Sequence, residues 1–463
     1  MAERSFKKEV EHLRKGDGDV FTGEGILAIT KALLENGVGY VGGYQGAPIS
    51  HLMDVLSDAQ DLLGELDVRF ESNASEAAAA AMLAASVHYP IRGAVTFKGP
   101  VGVNVASDAL ANLSSSGVTG GALIIVGEDF GEGSSIMQER THPFAMKSQF
   151  WLLDPRPNLP SIVKAVGDGF ELSEASNTPV MLTVRIRACH VTGIFETSDN
   201  KRPPLSVREA LANPRKDFQR VVIPPWTYMH EKDKAEKRWP AAEKYIMEKK
   251  LNEVFGPDKA DIGIVCQGGM YNGVARALQR IGLADIYGNT EVPIYCLNVT
   301  YPLVEKEFLK FCEGKQSVLV VEEGAPEFIE QTLTTMVYRS DSKVQLFGRK
   351  YLPSVGELTG PVMLDSIVAY LKDAAPGMLP GKVRAPNTSD PDIPDLSKVV
   401  PVRPPSFCTG CPERPIFAGI KLAQNELGEH QISADIGCHL FASLPPFEIG
   451  GATMGYGLGP AAN

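Results

Sequence analysis

The chain alternates short apolar runs with helical patterns, and most of the apolar runs lead into glycine-containing loops. One such block extends to about residue 195, and a second begins near residue 258. Strands that alternate with helices predict crossover connections and a mainly parallel sheet. In parallel sheets, ligands bind at the carboxyl ends of the strands, and the glycine loops fall at those ends. We therefore expect a multi-domain α/β protein with its functional loops at one edge of each sheet.

The length of 463 residues predicts about three domains, at roughly 150 residues each. A charged helical stretch interrupted at Pro240 predicts a connector, because charges of both signs are typical of a solvated helix face. The last segment is short for an α/β domain, so we expect it to be incomplete. The predicted order is an α/β domain at 1–198, a connector at 199–257, an α/β domain at 258–373, a proline-rich linker at 374–405 and a partial domain at 406–463.

Composition excludes several classes of protein. Apolar residues make up 44% of the chain and charged residues 22%, which is typical of a globular rather than a disordered protein. The net charge of −11 argues against a general nucleic-acid binder. No apolar run approaches the roughly 18 residues that span a bilayer, and the amino terminus lacks the apolar segment of a signal peptide. The odd number of cysteines, seven, indicates a reducing compartment, so we expect a cytoplasmic protein with no membrane partner.

Three of the cysteines form a candidate metal site. Cys408 and Cys411 form a C-x-x-C pair in CTGCPERP, and Cys438 follows in ADIGCHL. Thiolates bind soft metals, and three of them leave a tetrahedral site one ligand short. His439 or a cysteine outside this chain could complete it; a redox dithiol and inert thiols are the alternative interpretations. The remaining cysteines lie in apolar surroundings, which predicts core packing for Cys189, Cys266, Cys296 and Cys312.

Glu76 is a candidate catalytic carboxylate. It follows Ser75, a suitable N-cap, at the start of an alanine-rich helix. A carboxylate in the first helical turn lies near the positive end of the helix dipole and stays ionised. Alanines permit close packing, so the carboxylate should lie at the rim of a dry interface. A glutamate in this position is more often structural, but the glycine loops at 43–46 and 99–102 on either side favour a functional role.

The evidence from the surrounding loops is weaker. Lys98 ends a strand at the expected crevice, where it could neutralise an anionic substrate or phosphate, or be an ordinary strand-end lysine. Glycines at 99–102 and 127–131 permit close approach of a ligand, although turns explain them equally well. The sequence GYGLGP at 455–460 matches a dinucleotide-binding fingerprint only in part, so we do not expect dinucleotide binding there.

Taken in order, these segments resemble the thiamine-diphosphate-dependent 2-oxoacid:ferredoxin oxidoreductases, and within them the alpha subunits of the indolepyruvate branch. GYQGAPIS is similar to the family loop Y-P-G-T-P-S, ESNASEAAAA to E-x-x-x-N-E-K-x-A, and KGPVGVNVASD to K-H-x-G-x-N-x-A-x-D. GEDFGEGSSIMQER resembles D-D-P-G-x-x-S-S-x-x-E-x-D-x-R. CTGCPERP and ADIGCHLFASLPP resemble C-P-G-C-P-H-R and G-D-I-G-C-Y-x-L-x-x-L-P-P. The resemblance covers nearly the whole chain, and matches at both of its ends make it specific.

The resemblance implies a pyrimidine-binding domain, a transketolase-C-like domain and the start of a diphosphate-binding domain. It makes Glu76 the catalytic carboxylate that hydrogen-bonds the aminopyrimidine ring of thiamine diphosphate. It matches Cys408, Cys411 and Cys438 to cysteines that hold a [4Fe-4S] cluster. The cofactor-binding residues that it implies are Gly46, Ala47, Pro48, Lys98, Gly99, Gly102, Asn104, Asp435 and Gly437.

The activity implied by the resemblance is oxidative decarboxylation of a 2-oxoacid such as indolepyruvate or another arylpyruvate. The acyl group would pass to coenzyme A and the electrons through iron–sulfur clusters to ferredoxin. The resemblance also implies a gamma- or beta-type partner subunit and a dimeric assembly. The segment that binds Mg²⁺ and the diphosphate is expected beyond residue 463, either on a longer chain or on a separate subunit.

The sequence also departs from the family pattern. Ala47 replaces the loop threonine, Gly99-Pro100 replaces the histidine that follows the lysine, and Asp435 follows alanine rather than glycine. Two alternatives to the enzyme therefore stay open. One is a non-catalytic or regulatory relative that retains the fold as an interaction subunit. The other is an acyl-CoA synthetase-like or transketolase-like protein without the redox step.

Overall fold

The computed structural model describes residues 4–130, 137–379, 398–401, 406–434 and 437–453. The chain divides into two compact units, Met1–Pro386 and Asn387–Asn463. The larger unit contains a seven-stranded sheet, a five-stranded sheet and a two-stranded ribbon, with helices between the strands. The predicted α/β class with mainly parallel sheets is confirmed.

The strands are short and are distributed along the whole described chain. They are β1 Val20–Glu24, β2 Tyr40–Gly43, β3 Arg69–Ser72, β4 Gly93–Lys98, β5 Ala122–Glu128, β6 Trp151–Leu153, β7 Val180–Arg185, β8 Thr192–Glu196, β9 Glu253–Phe255, β10 Ile262–Gln267, β11 Ile294–Leu297, β12 Val299–Tyr301, β13 Ser317–Val321, β14 Gln345–Phe347, β15 Ser433–Ala434 and β16 Ala452–Thr453.

The helices connect most of these strands. They are α1 Gly25–Glu35, α2 Ser50–Asp58, α3 Gln60–Glu65, α4 Glu76–Met82, α5 Ala85–His88, α6 Gly99–Val105, α7 Ser107–Ser116, α8 His142–Ser148, α9 Leu159–Ser176, α10 Ile186–His190, α11 Val207–Ala212, α12 Trp226–Asp233, α13 Trp239–Lys249, α14 Tyr271–Ile281, α15 Glu305–Cys312, α16 Phe328–Arg339, α17 Gly360–Ala374 and α18 Arg414–Leu427. Among the described helices, none has both the length and the apolar character that a membrane crossing requires.

The first sheet has the strand order β12-β6-β7-β5-β4-β2-β3 and is parallel except for β12, which runs antiparallel to β6. Every residue of β5 and β7 is buried, because helices cover both faces of the sheet. Helices α1 and α9 contribute to the core on one face, and α4 and α7 to the core on the other. The long apolar runs in the sequence are therefore the central strands of this layered structure.

The second sheet has the order β14-β13-β10-β11-β9 and is parallel except for β9. Helices α14 and α17 pack on one face, and α15 and α16 pack on the other. The cysteines predicted to pack in the core are all buried: Cys189, Cys266, Cys296 and Cys312.

The two sheets share one continuous segment of chain. The run 294–301 divides at Asn298, so that β11 belongs to the second sheet while β12 pairs with β6 of the first. The Asn298 side chain donates hydrogen bonds to the Leu251 carbonyl at 2.8 Å and to Glu253 at 2.9 Å, which fixes the turn between the strands. A buried ion pair adds to this connection, because Arg140, just before α8, lies 2.9 Å from Glu322, which follows β13 of the second sheet.

The predicted helix break at Pro240 is wrong. Helix α12 continues through a π-helical turn at Lys234–Arg238 directly into α13. Pro240 lies in the first turn of α13, next to this wider turn, where the missing proline N–H costs little. Ala242 and Ile246 of α13 are buried in the core of the first sheet, so the connector is not wholly solvated.

The smaller unit contains α18, the two-stranded parallel pair β15 and β16, and a 3₁₀ turn at Cys438–Ser443. Its apolar cluster is small and consists of Ala442, Phe447 and Ile449, with Phe407, Phe417, Ile420 and Ile432 packed against them.

Candidate active site

Glu76 begins helix α4 and is 2% exposed. The Ser75 hydroxyl accepts a hydrogen bond from the Ala78 N–H at 3.3 Å, so the predicted N-cap is confirmed. Ala79 and Ala80 of the same helix are buried against the first sheet. The carboxylate is thus largely shielded from water and lies where the helix dipole favours a negative charge.

Helix α6 holds Glu76 through its glycines. A Cβ atom at Gly102 would lie 2.5 Å from Cδ2 of Phe97 and 3.0 Å from Cγ of Glu76. One turn earlier, a Cβ at Gly99 would lie 2.6 Å from Oγ1 of Thr141 and 3.1 Å from Cγ of Glu128. The two glycines therefore let α6 approach both Glu76 and Glu128 more closely than any other residue type would permit.

Lys98 connects the 46–48 loop to the end of β4. Its ammonium group donates to the Ala47 carbonyl at 2.8 Å and forms an ion pair with Asp129 at 2.8 Å. A Cβ at Gly46 would lie 2.8 Å from Cβ of Lys98, so the loop lies directly against the lysine. The Lys98 charge is therefore paired with that of Asp129.

The remaining residues of this group differ in exposure. Pro48 is buried, whereas Ala47 and Asn104 are exposed. The Asn104 side-chain amide donates to the Pro100 carbonyl at 2.9 Å and to Glu139 at 2.6 Å. Asn104 therefore links the start of α6 to the residues that precede α8.

A cavity of about 180 Å³ lies at the carboxyl ends of strands from both sheets. Glu128 and Arg185 come from the ends of β5 and β7, and Gly269 and Glu323 follow β10 and β13. Much of the remaining lining is apolar, and Arg187, Asn272 and Glu357 add polar groups; the apolar side chains are Phe130, Pro157, Ile186, Val191, Met270 and Leu358. The sequence analysis missed Glu128, Arg185 and Glu323 as site candidates, although each charged residue directly follows or ends an apolar run.

The charges beside this cavity are paired. Arg185 lies 2.7 Å from Asp154 and 2.5 Å from Glu323, and all three residues are buried. Burial raises the pKa of Glu323 above its ordinary value, and the Arg185 charge opposes that rise. Glu128 accepts a hydrogen bond from the Thr141 N–H at 2.6 Å. The charged groups at this cavity are therefore held in place by ion pairs and a hydrogen bond, and they lie beside apolar side chains.

His142 lies deep in the contact between the two sheets. Its ring stacks on Phe328 with centroids 5.8 Å apart. Burial, with a smaller contribution from the Arg140 charge, lowers the pKa of His142 to about 3. The imidazole is therefore neutral at physiological pH and acts as a packing group.

The smaller unit contains the other predicted site residues. Cys408 and Cys438 are exposed and Cys411 is half-buried. Burial raises the pKa of the Cys438 thiol, and Glu413, Cys408 and Cys411 raise it further, which indicates that the three thiols are neighbours. In the part of the chain that the structure describes, however, no three His, Cys, Asp or Glu side chains converge on a common metal position. Gly437 has φ of +134°, which favours glycine, and Asp435 lies outside the described residues.

Comparison with known proteins places the chain among oxidoreductases. Residues 252–367 match the family described as the indolepyruvate oxidoreductase domain. The chain is 31% identical over 450 residues to the indolepyruvate oxidoreductase subunit IorA of Methanothermobacter thermautotrophicus, covering 95% of this chain and 67% of that protein. It is 26% identical to the subunit of the same name from Pyrococcus abyssi, covering 94% of this chain and 64% of that protein. The chain spans about two thirds of the length of these relatives.

A solved structure shares the fold. It is the 2-oxoglutarate:ferredoxin oxidoreductase from Magnetococcus marinus with 2-oxoglutarate, coenzyme A and succinyl-CoA bound. The TM-score is 0.59 at 16% identity, with 76% of this chain and 65% of that chain covered.

Proposed function

Because the chain belongs to the family of indolepyruvate oxidoreductase IorA subunits, we propose that it supplies the pyrimidine-binding half of a thiamine-diphosphate-dependent 2-oxoacid:ferredoxin oxidoreductase. The reaction is the oxidative decarboxylation of a 2-oxoacid, with indolepyruvate or another arylpyruvate as substrate and an acyl-CoA as product. Residues 1–198 would form the pyrimidine-binding domain, 258–373 the transketolase-C-like domain and 406–463 the start of the diphosphate-binding domain.

The observation that carries this proposal is the environment of Glu76. The carboxylate is 2% exposed, begins an alanine-rich helix and contacts the glycine side of α6. Thiamine diphosphate supplies, when bound, a nucleophilic carbon and a sink for the electrons that decarboxylation releases. Glu76 would accept a hydrogen bond from a ring nitrogen of the aminopyrimidine and hold a proton there. Because Glu76 is shielded from water, that hydrogen bond would be stronger than one in solvent.

Several neighbours of Glu76 would line the cofactor. Gly99 and Gly102 let α6 pack directly against Glu128 and Glu76, and Lys98 fixes the loop carrying Gly46, Ala47 and Pro48. Lys98 is a positioning residue in this proposal, since its charge is already paired with Asp129. From the resemblance alone, Asn104 and, in the smaller unit, Asp435 and Gly437 are also proposed as cofactor-binding residues.

The complete enzyme requires components beyond this chain. We propose coenzyme A as acyl acceptor, ferredoxin as electron acceptor, and a gamma- or beta-type partner subunit in a dimeric assembly. The relatives are each named as a subunit, which supports a multi-subunit enzyme. Mg²⁺ would bind with the diphosphate through residues that are not among those described.

An iron–sulfur cluster at Cys408, Cys411 and Cys438 is proposed from the resemblance and from the donor chemistry of three neighbouring thiols. Their described positions do not converge on one point, so we derive no electron-transfer step through a cluster. Anaerobic iron and sulfide analysis of the purified complex tests the proposal. Replacement of all three cysteines with serine should remove the iron that they hold, and unchanged iron content would refute the assignment.

Glu76→Gln tests the catalytic assignment. The amide retains the size of the side chain but removes its charge, so we expect exchange of the cofactor C2 proton and 2-oxoacid turnover to fall by about 10²–10⁴-fold. Affinity for thiamine diphosphate should change far less, because the other contacts remain. Proton exchange is measured by NMR, and turnover with an arylpyruvate and a viologen acceptor.

Asp61→Asn is the matched control, because Asp61 is an exposed acid in the first turn of α3. It should leave both measurements unchanged. Wild-type turnover in Glu76→Gln would show that the carboxylate is misassigned. A complex that binds the cofactor but oxidises no 2-oxoacid would favour the non-catalytic relative instead.

A further inference from the structure

A second cavity lies at the opposite edge of the second sheet. Its volume is about 940 Å³, and it is lined by residues that directly precede parallel strands: Asp261 before β10, Pro293 before β11 and Lys315 just before β13. The first cavity, lined by Glu128, Arg185 and Glu323, lies at the carboxyl ends of β10 and β13, so the two cavities are separated by the length of the sheet. The volume is within the range of small-molecule sites, roughly 300–1,000 Å³.

Lys315 is the central residue of this cavity. It is 8% exposed, its stem lies 3.1 Å from the Cβ position of Gly263, and its ammonium group lies 4.5 Å from the centre of the Phe311 ring. It forms no ion pair with any residue in the described ranges. Burial lowers the pKa of Lys315, and the smaller opposing contributions of Cys312 and the Asp258 carboxylate do not cancel this shift.

The wall beside Lys315 is aromatic. The rings of Tyr295 and Phe311 lie 5.5 Å apart, and both side chains line the cavity. The nearby Glu307 carboxylate is engaged by the fold, since one of its oxygens accepts from the Tyr295 hydroxyl at 2.9 Å and from the Asn252 amide at 3.0 Å.

The other charges around the cavity lie mainly at its exposed rim. The three further lysines, Lys250, Lys259 and Lys310, are exposed, and so are the three acids Asp258, Asp261 and Glu313. With Lys315 and Glu307 included, the lining carries equal numbers of basic and acidic groups. Selection of a ligand would therefore come from the position of the buried ammonium group rather than from net charge.

We propose that this cavity binds an organic anion that carries an aromatic ring, with the anionic group at the Lys315 ammonium and the ring beside Phe311 and Tyr295. A buried cation between aromatic side chains satisfies both parts of such a ligand. An anion would form the direct ion pair with Lys315 that no described residue forms, and the ring would displace water from the apolar wall. The proposal is independent of the catalytic assignment, because it concerns the other edge of the sheet.

The test is calorimetric titration of the purified complex with two probes of the same ring and similar length but opposite charge, indole-3-propionate and tryptamine. We expect indole-3-propionate to bind and tryptamine not to bind. Lys315→Met retains most of the buried stem and should weaken indole-3-propionate binding by at least about tenfold. Lys306→Met is the control, since Lys306 is exposed on α15 and is not among the lining residues.

Equal binding of tryptamine, or unchanged affinity in Lys315→Met, would overturn the proposal. Binding at the active site would survive this substitution and be displaced by the 2-oxoacid, so the two locations are distinguishable. A second measurement uses the wild-type complex in case the variant fails to fold. Indole-3-propionate should protect Lys315, but not Lys306, from acetylation followed by peptide mass mapping, and absence of protection would count against the site.

Discussion

A methyl group at position 102 has no space to occupy, and Gly102→Ala therefore tests whether close packing of α6 positions Glu76. The new Cβ would lie 2.5 Å from Cδ2 of Phe97, which is fully buried, and 3.0 Å from Cγ of Glu76. Overpacking costs about 1–3 kcal/mol, and the better helix propensity of alanine offsets about 1 kcal/mol of this. The net loss of folding stability should be about 0–2 kcal/mol, so the protein should still fold.

Activity should be affected far more than stability. Phe97 cannot move easily within the core, so Glu76 must shift, and a displacement near 1 Å at a catalytic group costs about 10²-fold in rate. We expect kcat/KM for an arylpyruvate to fall by about that factor, measured with a viologen acceptor alongside thermal unfolding. Gly64→Ala is the control, because no described atom outside its own helix backbone and chain neighbours lies within 4 Å of its Cβ position, and it should leave activity unchanged. Full activity in Gly102→Ala would refute the positioning role of α6.

Two further predictions concern the contact between the sheets. Because the pKa of His142 is about 3 in the folded protein, the unfolded chain binds more protons below pH 6.5, and folding stability falls as the pH falls from there. His142→Phe should remove about 2 kcal/mol of this loss of stability between pH 6.5 and pH 5. Wild-type and variant stabilities, measured by denaturant unfolding, that change in parallel with pH would contradict this. Arg140→Met leaves Glu322 buried without its cation and should lower the free energy of unfolding by about 3–5 kcal/mol. In a double-mutant cycle, adding Glu322→Gln should restore part of this stability, and additive losses in the two variants would refute the coupling.

The sequence was sufficient to predict the layered fold and the position of Glu76. Largely apolar runs such as β5, β7 and β10 can be satisfied only where both faces of a strand are covered, and the structure buries all three throughout. The Ser75 cap and the helix start at Glu76 depend on local chemistry, and these were also predicted correctly.

Features that depend on tertiary contacts could not be predicted in the same way. The run 294–301 has the pattern of one strand, and its division at Asn298 depends on hydrogen bonds to Leu251 and Glu253 that no local pattern encodes. The partner of Lys98 is Asp129, and only the pairing of β4 with β5 brings the two together. The continuous helix through Pro240 depends on a π turn, for which the sequence has no reliable signal.

The division of one short segment between two sheets has a consequence for how the molecule can be dissected. The segment 252–367, which matches the indolepyruvate oxidoreductase domain, includes β12 but excludes β6, its hydrogen-bonding partner. A fragment cut at that boundary would expose an unsatisfied strand edge and would lose the Arg140 and Arg185 counter-charges of Glu322 and Glu323. Residues 252–367 therefore depend on residues of the first sheet for strand pairing and for charge compensation, and they do not form an independent folding unit.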